Sequence, residues 1–299
     1  MWNLQSRIHH LNHFPKQHCE CYVKREDELS CGISGSKIRK YSSLVPYLLK
    51  NSIAHLIIIA GPQSNNLLAA LQVARELRLD LTVFLLKPKT PTIQGNFKLS
   101  LLFLDEKEII WVERADWLQV NDLALAYRNQ LTIPAFILEE GACVKESMPG
   151  AMTLADDIIR NETEFGGSFQ HIFIDAGTGF AAAALIQRMT QLNHTAIIHV
   201  LLLADSKDVF KDKLEHWLNC QPSNYHCFVP TSAKAFGSVN QTIKNEIRRM
   251  AREEGILVDP IYSAKLFHEA RFFIEMQQLT GKVLLIHSGG LLTMAGFNF

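Results

Sequence analysis

His55-Leu56-Ile57-Ile58-Ile59-Ala60-Gly61-Pro62-Gln63-Ser64-Asn65-Asn66 is the stretch that decides the fold. Six apolar residues in a row read as a strand buried on both faces, and Gly61-Pro62 ends it. Leu67 to Leu77, rich in Ala, Leu, Arg and Glu, reads as the helix that follows. Ser64 or Asn65 is placed to cap it, at a helix start whose spare backbone N–H groups suit a carboxylate or phosphate. The pattern recurs at His171 to Asp175, where a strand leads through Ala176-Gly177-Thr178-Gly179 into a helix from Phe180 to Leu192. Between and around these units strands and helices alternate. Strands are expected at 20–26, 81–86, 109–112, 135–138, 197–203 and 283–287. Helices are expected at 38–50, 117–129, 152–162, 208–219, 239–254 and 264–279. Such alternation means parallel α/β sheets with helices on both faces. Two strand–loop–helix units imply two parallel-sheet α/β domains with a cleft between them, ligands lying at the carboxyl ends of the strands.

Composition narrows the function classes. Thirty Lys and Arg balance thirty Asp and Glu over 299 residues, so nothing in the charge favours nucleic acid or an acidic membrane. No apolar run reaches membrane-spanning length, and Met1-Trp2-Asn3-Leu4 is not the start of a signal peptide. A cytoplasmic protein without membrane or nucleic-acid partners is expected. The six cysteines form no C-x-x-C pair. His9, His10, His13, His18, Cys19 and Cys21 match no zinc spacing, so no metal is expected.

Two segments carry chemistry. In Ser34-Gly35-Ser36-Lys37-Ile38-Arg39-Lys40 a lysine follows small residues at a helix start. One reading makes Lys37 the amine that forms a Schiff base with pyridoxal phosphate (PLP); the other makes it part of a basic cluster on a solvated helix end. Gly177-Thr178-Gly179-Phe180-Ala181-Ala182 fits G-x-G-x-x-A between strand and helix, and Asp205 closes the next strand. A dinucleotide-dependent oxidoreductase built on Gly177, Gly179, Ala182 and Asp205 is therefore a rival, as is a plain tight turn.

Four segments in order resemble one family. Ser34 to Lys40 resembles G-G-N-K-x-R-K, and Gly61-Pro62-Gln63-Ser64-Asn65 resembles G-x-Q-S-N. Glu254-Gly255-Ile256-Leu257-Val258-Asp259-Pro260-Ile261-Tyr262-Ser263-Ala264-Lys265 resembles E-G-I-L-x-D-P-V-Y-x-G-K, and His287-Ser288-Gly289-Gly290 resembles H-T-G-G. Gly95-Asn96 matches a further G-N. These are marks of the PLP-dependent 1-aminocyclopropane-1-carboxylate (ACC) deaminase / D-cysteine desulfhydrase family, and the match runs from about residue 20 to the end.

The resemblance implies the tryptophan synthase β-like fold (PLP fold type II), with PLP in the cleft. Residues 1–40 with 165–299 would form the larger, cofactor-binding domain and 41–164 the smaller. Lys37 would hold PLP and shuttle the Cα proton, Asn65 would bond the cofactor's 3′ oxygen, and Gly177, Thr178 and Gly179 would cradle the phosphate. Ser64, with Gln63 and Asn65 beside it, would take the substrate carboxylate. Tyr262 would serve as acid or base at the substrate, and Ser263 would lie at the ring nitrogen. Phe236 stands where the family has a tyrosine near the substrate, and Phe180-Ala181-Ala182 replaces residues that usually include a threonine. The implied activity is elimination and deamination of a small amino acid to ammonia and a 2-oxo acid, D-cysteine desulfhydrase-like, in a homodimer. ACC deaminase is the alternative, and a homologue that binds PLP without turnover is another.

Overall fold

The computed structural model describes residues 2–15, 17–30, 35–89, 93–218, 222 and 224–298. Ser34 of the lysine segment, and Cys31 and Cys220, lie outside them. The chain begins with strands β1 (Ile8–His10) and β2 (Cys19–Arg25), helix α1 (Ser36–Lys50), β3 (His55–Ala60), α2 (Asn65–Glu76) and β4 (Asp80–Leu86). It continues with α3 (Gly95–Ser100), β5 (Ile109–Val112), α4 (Val120–Arg128), β6 (Ala135–Leu138), α5 (Met148–Phe165), β7 (His171–Ala176) and α6 (Phe180–Gln191). The last elements are β8 (Ile197–Leu202), α7 (Lys207–Trp217), β9 (Tyr225–Phe228), α8 (Gln241–Arg249), α9 (Ser263–Gln277) and β10 (Gly281–His287). No helix among the described residues is long and apolar enough to cross a membrane.

Contacts divide the chain into two compact units, Met1–Arg39 with Ala151–Leu291, and Lys40–Gly150 with Leu292–Asn298. The first holds a six-stranded sheet in the order β1-β2-β10-β7-β8-β9. All its pairings are parallel except that of β1 with β2, which is antiparallel. The expected all-parallel sheet is thus corrected at one edge: Ile8-His9-His10 is a three-residue edge strand, too short and polar to announce itself. Alternation sends Ile172, Ile174 and Ala176 of β7 into a core with Ala182, Leu185 and Ile186 of α6 and Leu154 and Ile158 of α5. That packing, and the Asp157 contacts described below, place α5 with this unit, so the division falls at residue 150 and not at 164. The second unit holds an all-parallel sheet in the order β5-β4-β3-β6. Ile57 and Ile59 of β3 pack there with Phe84, Val112, Val120 and Ala124.

On the other face of β7, Phe173 stacks on His199 of β8 at 4.4 Å, and Phe273 of α9 closes over both. His199 is buried, its Nε2 lies 3.0 Å from His171 Nδ1, and its Nδ1 has no partner among the described residues. Burial, then the neighbouring His171 and His226, press its pKa down to about 3. The unfolded chain therefore binds a proton that the fold refuses, and stability present above pH 6.5 drains away as pH falls toward 3. His199→Phe is expected to remove this term. Between pH 7 and pH 5 the unfolding free energy of the parent should fall by about 2 kcal/mol more than that of the variant. Urea denaturation at the two pH values measures it, and parallel pH profiles would refute it.

Candidate active site

Lys37 is the second residue of α1, and the chain just before it fixes where that helix begins. Gly35 has φ +63°, its N–H donates to Glu26 O at 3.1 Å, and Ser36 N–H reaches Ser288 O at 3.4 Å. A Cβ at Gly35 would stand 1.6 Å from Ser288 O, so only glycine fits. Gly35→Ala is expected to displace the start of α1 and to lower cofactor retention at least about tenfold, since a side chain here adds left-handed strain to a backbone collision. Equilibrium dialysis against PLP checks it; unchanged retention would mean that the helix start tolerates movement.

Beneath this turn Arg39 is fully buried. Its guanidinium bonds Glu26 through both Nε and Nη2, Asp157 Oδ2 at 2.8 Å and Thr153 Oγ1 at 3.1 Å. Lys24 donates to Asp157, to Asn161 and, at 2.8 Å, to Ser6 O. Burial alone would lift the Asp157 carboxyl, but Lys24 and Arg39 hold it below the ordinary range.

Lys37 itself is partly exposed along its stem, yet its amine lies deep among protein atoms. Burial lowers its pKa, and the carboxylates of Asp175 and Asp259 oppose that. The result is an amine more readily neutral, hence nucleophilic, than a surface lysine. Its Nζ lies 5.5 Å from the centre of the Tyr262 ring. The same ring packs against the glycine loop, where a Cβ on Gly177 would come within 2.9 Å of Tyr262 Cε1. Phe236, half-exposed, meets Tyr262 edge-on at 6.0 Å. Lys265 Nζ holds the segment before it by bonding Ala233 O at 2.7 Å and Ala235 O at 3.2 Å. The structure thus brings Lys37, Gly177, Tyr262 and Phe236 together.

The glycine loop ends at Gly179, φ +85°, which starts α6 without any side-chain cap. Phe210 lies behind it, 2.8 Å from where a Cβ would be, and Phe180 packs on Trp217. With no side-chain cap, the first amides of α6 are left as donors for an incoming anion. Asp205, the proposed ribose acid of the dinucleotide reading, instead pairs with Lys213 at 2.6 Å.

Asp259 organises the neighbouring turn. Its Oδ1 accepts the N–H of Ile261 and Tyr262, and its Oδ2 accepts the N–H and hydroxyl of Ser263. Ser263 Oγ in turn accepts Asp259 N–H at 2.8 Å. Both residues are fully buried. His287 Nε2 lies 2.7 Å from Leu257 O, and its Nδ1 accepts Gly289 N–H at 3.2 Å.

In the second unit Ser64 caps α2, its Oγ accepting Asn66 N–H and Leu67 N–H at 3.1 and 3.2 Å. The cap consumes most of the spare amides expected from the sequence, and what Ser64 still offers a ligand is its own O–H. Asn65 Oδ1 accepts from Asn96 Nδ2 at 2.7 Å and Thr293 Oγ1 at 3.0 Å, which turns its amide nitrogen outward as a donor. Gln63 Nε2 is spent on Gln94 O at 3.1 Å.

Sequence reading gave no role at the site to Asp175, Asp259, Ser288, Asn96 or Thr293. Asp175 had a signal, a carboxylate closing an otherwise apolar strand. Asn96 was seen as a motif match without a role, and Thr293 gives no signal of its own.

A family model described as pyridoxal-phosphate dependent enzyme matches residues 3–289, and the chain belongs to that family. PLP is its cofactor, and the dinucleotide reading is set aside. The chain is 26% identical to the putative 1-aminocyclopropane-1-carboxylate deaminase of Thermotoga maritima, with 90% of this chain and 88% of that one covered. It is 24% identical to the D-cysteine desulfhydrase of Yersinia pestis, covering 91% and 86%. A crystal structure of an ACC deaminase homologue superposes with a TM-score of 0.84 at 21% identity, over 98% of this chain and 91% of that one. The fold is the fold type II α/β architecture that the sequence reading expected.

The residues suit the cofactor. A side chain at Gly177 would collide with Tyr262, so the loop keeps its backbone bare, Lys37 offers an amine of lowered pKa, and Asp175 Oδ1 is buried with no donor among the described residues.

Proposed function

We propose that the protein eliminates and deaminates a small amino acid, releasing ammonia and a 2-oxo acid, with D-cysteine the substrate type and pyruvate and hydrogen sulfide the products. The observation that carries this is the buried Lys37 amine set against Tyr262 and the uncapped glycine loop. Bound PLP supplies an electron sink for the pair left at Cα. Lys37 holds the cofactor through Nζ and, once released, takes the proton from Cα. The loop Gly177-Thr178-Gly179 and the start of α6 take the phosphate. Asn65 donates its outward amide to the 3′ oxygen, and Ser64 donates its hydroxyl to the substrate carboxylate. Tyr262 hands a proton to, or takes one from, the leaving side of the substrate. Gln63, its amide nitrogen already spent, shapes the loop beside them.

Phe236 favours the desulfhydrase reading over ACC ring opening. The family's tyrosine is a second acid there; a thiolate leaves without one, whereas a cyclopropane carbon does not. The resemblance further implies a homodimer, which sedimentation measures. The test is to load the protein with PLP, reduce with borohydride, and locate the adduct by peptide mass spectrometry. D-cysteine, L-cysteine, D-serine and ACC are then supplied in turn, with ammonia and 2-oxo acid measured. An adduct at Lys37 and pyruvate with sulfide from D-cysteine are expected. No adduct would sink the reading. An adduct without ammonia from any substrate would make this a binding homologue.

A further inference from the structure

We infer that Asp175, and not Ser263, is the group that meets the ring nitrogen of the bound cofactor and keeps it protonated. The inference rests on the PLP reading above and deepens it.

Asp175 lies near the end of β7, two residues before Gly177, on the strand face it shares with Phe173. It is buried; the Ser288 hydroxyl bonds the carboxylate, while Oδ1 receives nothing among the described residues. A carboxylate oxygen left without a donor away from water is costly, so the site is incomplete as it stands.

The charged and titratable groups that act on Asp175 are Lys37, Asp259 and His287. Two of them are already committed. Both Asp259 oxygens are filled by the turn that follows, and both His287 nitrogens are bonded. Ser263 is committed too. Its single hydrogen goes to Asp259 and its oxygen accepts Asp259 N–H, so it has no proton to offer a neutral ring nitrogen. Lys37 is the remaining partner, and its amine is the group that would hold the cofactor.

The chemistry of the cofactor then selects the contact. Its phosphate is an anion, which a carboxylate repels, and the nitrogen at its Lys37 end would share a proton with its own 3′ oxygen. The ring nitrogen is then the donor left to turn an N–H toward the orphan oxygen. Protonated, it also brings a positive charge against the Asp175 carboxylate. Burial, opposed by Ser288 and Lys37, lifts the free carboxyl to about 6, and a ring cation in contact draws it down again. A carboxylate at this atom makes the ring a stronger sink than a hydroxyl would, so the chain recovers from β7 the acid that position 263 does not supply.

The experiment loads parent, Asp175→Asn and Ser263→Ala with PLP labelled with nitrogen-15 in the ring and follows the ring resonance from pH 6 to pH 9. Borohydride adducts at Lys37 are measured in parallel. The parent and Ser263→Ala should show the protonated-ring shift well above the pH at which free PLP loses it. Asp175→Asn should show the unprotonated shift while still giving the adduct. If Asp175→Asn does not take up cofactor, Asp175→Ala is read in the same way. An unprotonated ring in the parent, a protonated ring in the Asp175 variants, or loss of the protonated shift in Ser263→Ala would overturn the inference. An adduct at Lys37 with any of these leaves the PLP reading standing. No adduct in the parent overturns both.

Discussion

Lys37→Ala is expected to abolish the borohydride-trapped adduct and to lower turnover by about a thousandfold or more. The size follows from two duties falling on one amine, which both attaches the cofactor and moves the Cα proton. No neighbour can stand in. Tyr262 is a phenol with its ring, not its hydroxyl, turned to the glycine-loop backbone at closest approach, and Asp259 is saturated by its own turn. Asp175 has a free oxygen, but a carboxylate cannot capture an aldehyde as an amine does. Small primary amines added to the variant should restore part of the turnover, because they supply the missing base without the tether. A purely structural lysine would show no such rescue. An adduct or undiminished turnover in Lys37→Ala would remove Lys37 from the reaction.

The fold was largely legible because both sheets are built on apolar runs such as Leu56 to Ala60 and Ile172 to Ile174, which announce strands buried on two faces. What escaped is the short helix Gly95–Ser100 and strands at edges. Ile8-His9-His10 and Tyr225-His226-Cys227-Phe228 are half-exposed strands rich in histidine, and their pairing depends on the neighbour more than on their own residues. The candidate site divides the same way. Lys37, the glycine loop and the Ser64 cap are local patterns, and each stands at the element start where the sequence put it. The Asp259–Ser263 pair is local as well, four residues apart, and an Asp-Pro turn could have betrayed it. Asp175 was harder. Its meaning comes from Lys37 and Ser288, more than a hundred residues away on either side, and an acid at a strand end reads alone as a strand end. The same holds for Asn65, whose donor is aimed by Asn96 and Thr293.

Distance along the chain also hides the group that bears most on stability. Arg39→Met is expected to cost about 3–5 kcal/mol of unfolding free energy. The guanidinium is the shared cation of Glu26 and Asp157, and all three are buried. Removing it leaves Asp157 with Lys24, Arg160 and Ser6 N–H, an adequate set. Among the described residues Glu26 keeps one side-chain hydrogen bond, from the Ser6 hydroxyl, and the charge of nearby Lys24, so its buried carboxylate is left short of donors. The cost is therefore that of a stranded anion more than of a lost attraction, and this sets the test. Glu26→Gln in the Arg39→Met background removes the stranded charge and should recover about half of the loss, whereas independent sites would add. Because Glu26 O also accepts the Gly35 N–H that sets the start of α1, Arg39→Met should weaken cofactor retention together with stability. A single-variant loss below about 1 kcal/mol in urea unfolding would show that the cluster pins neither the fold nor Lys37.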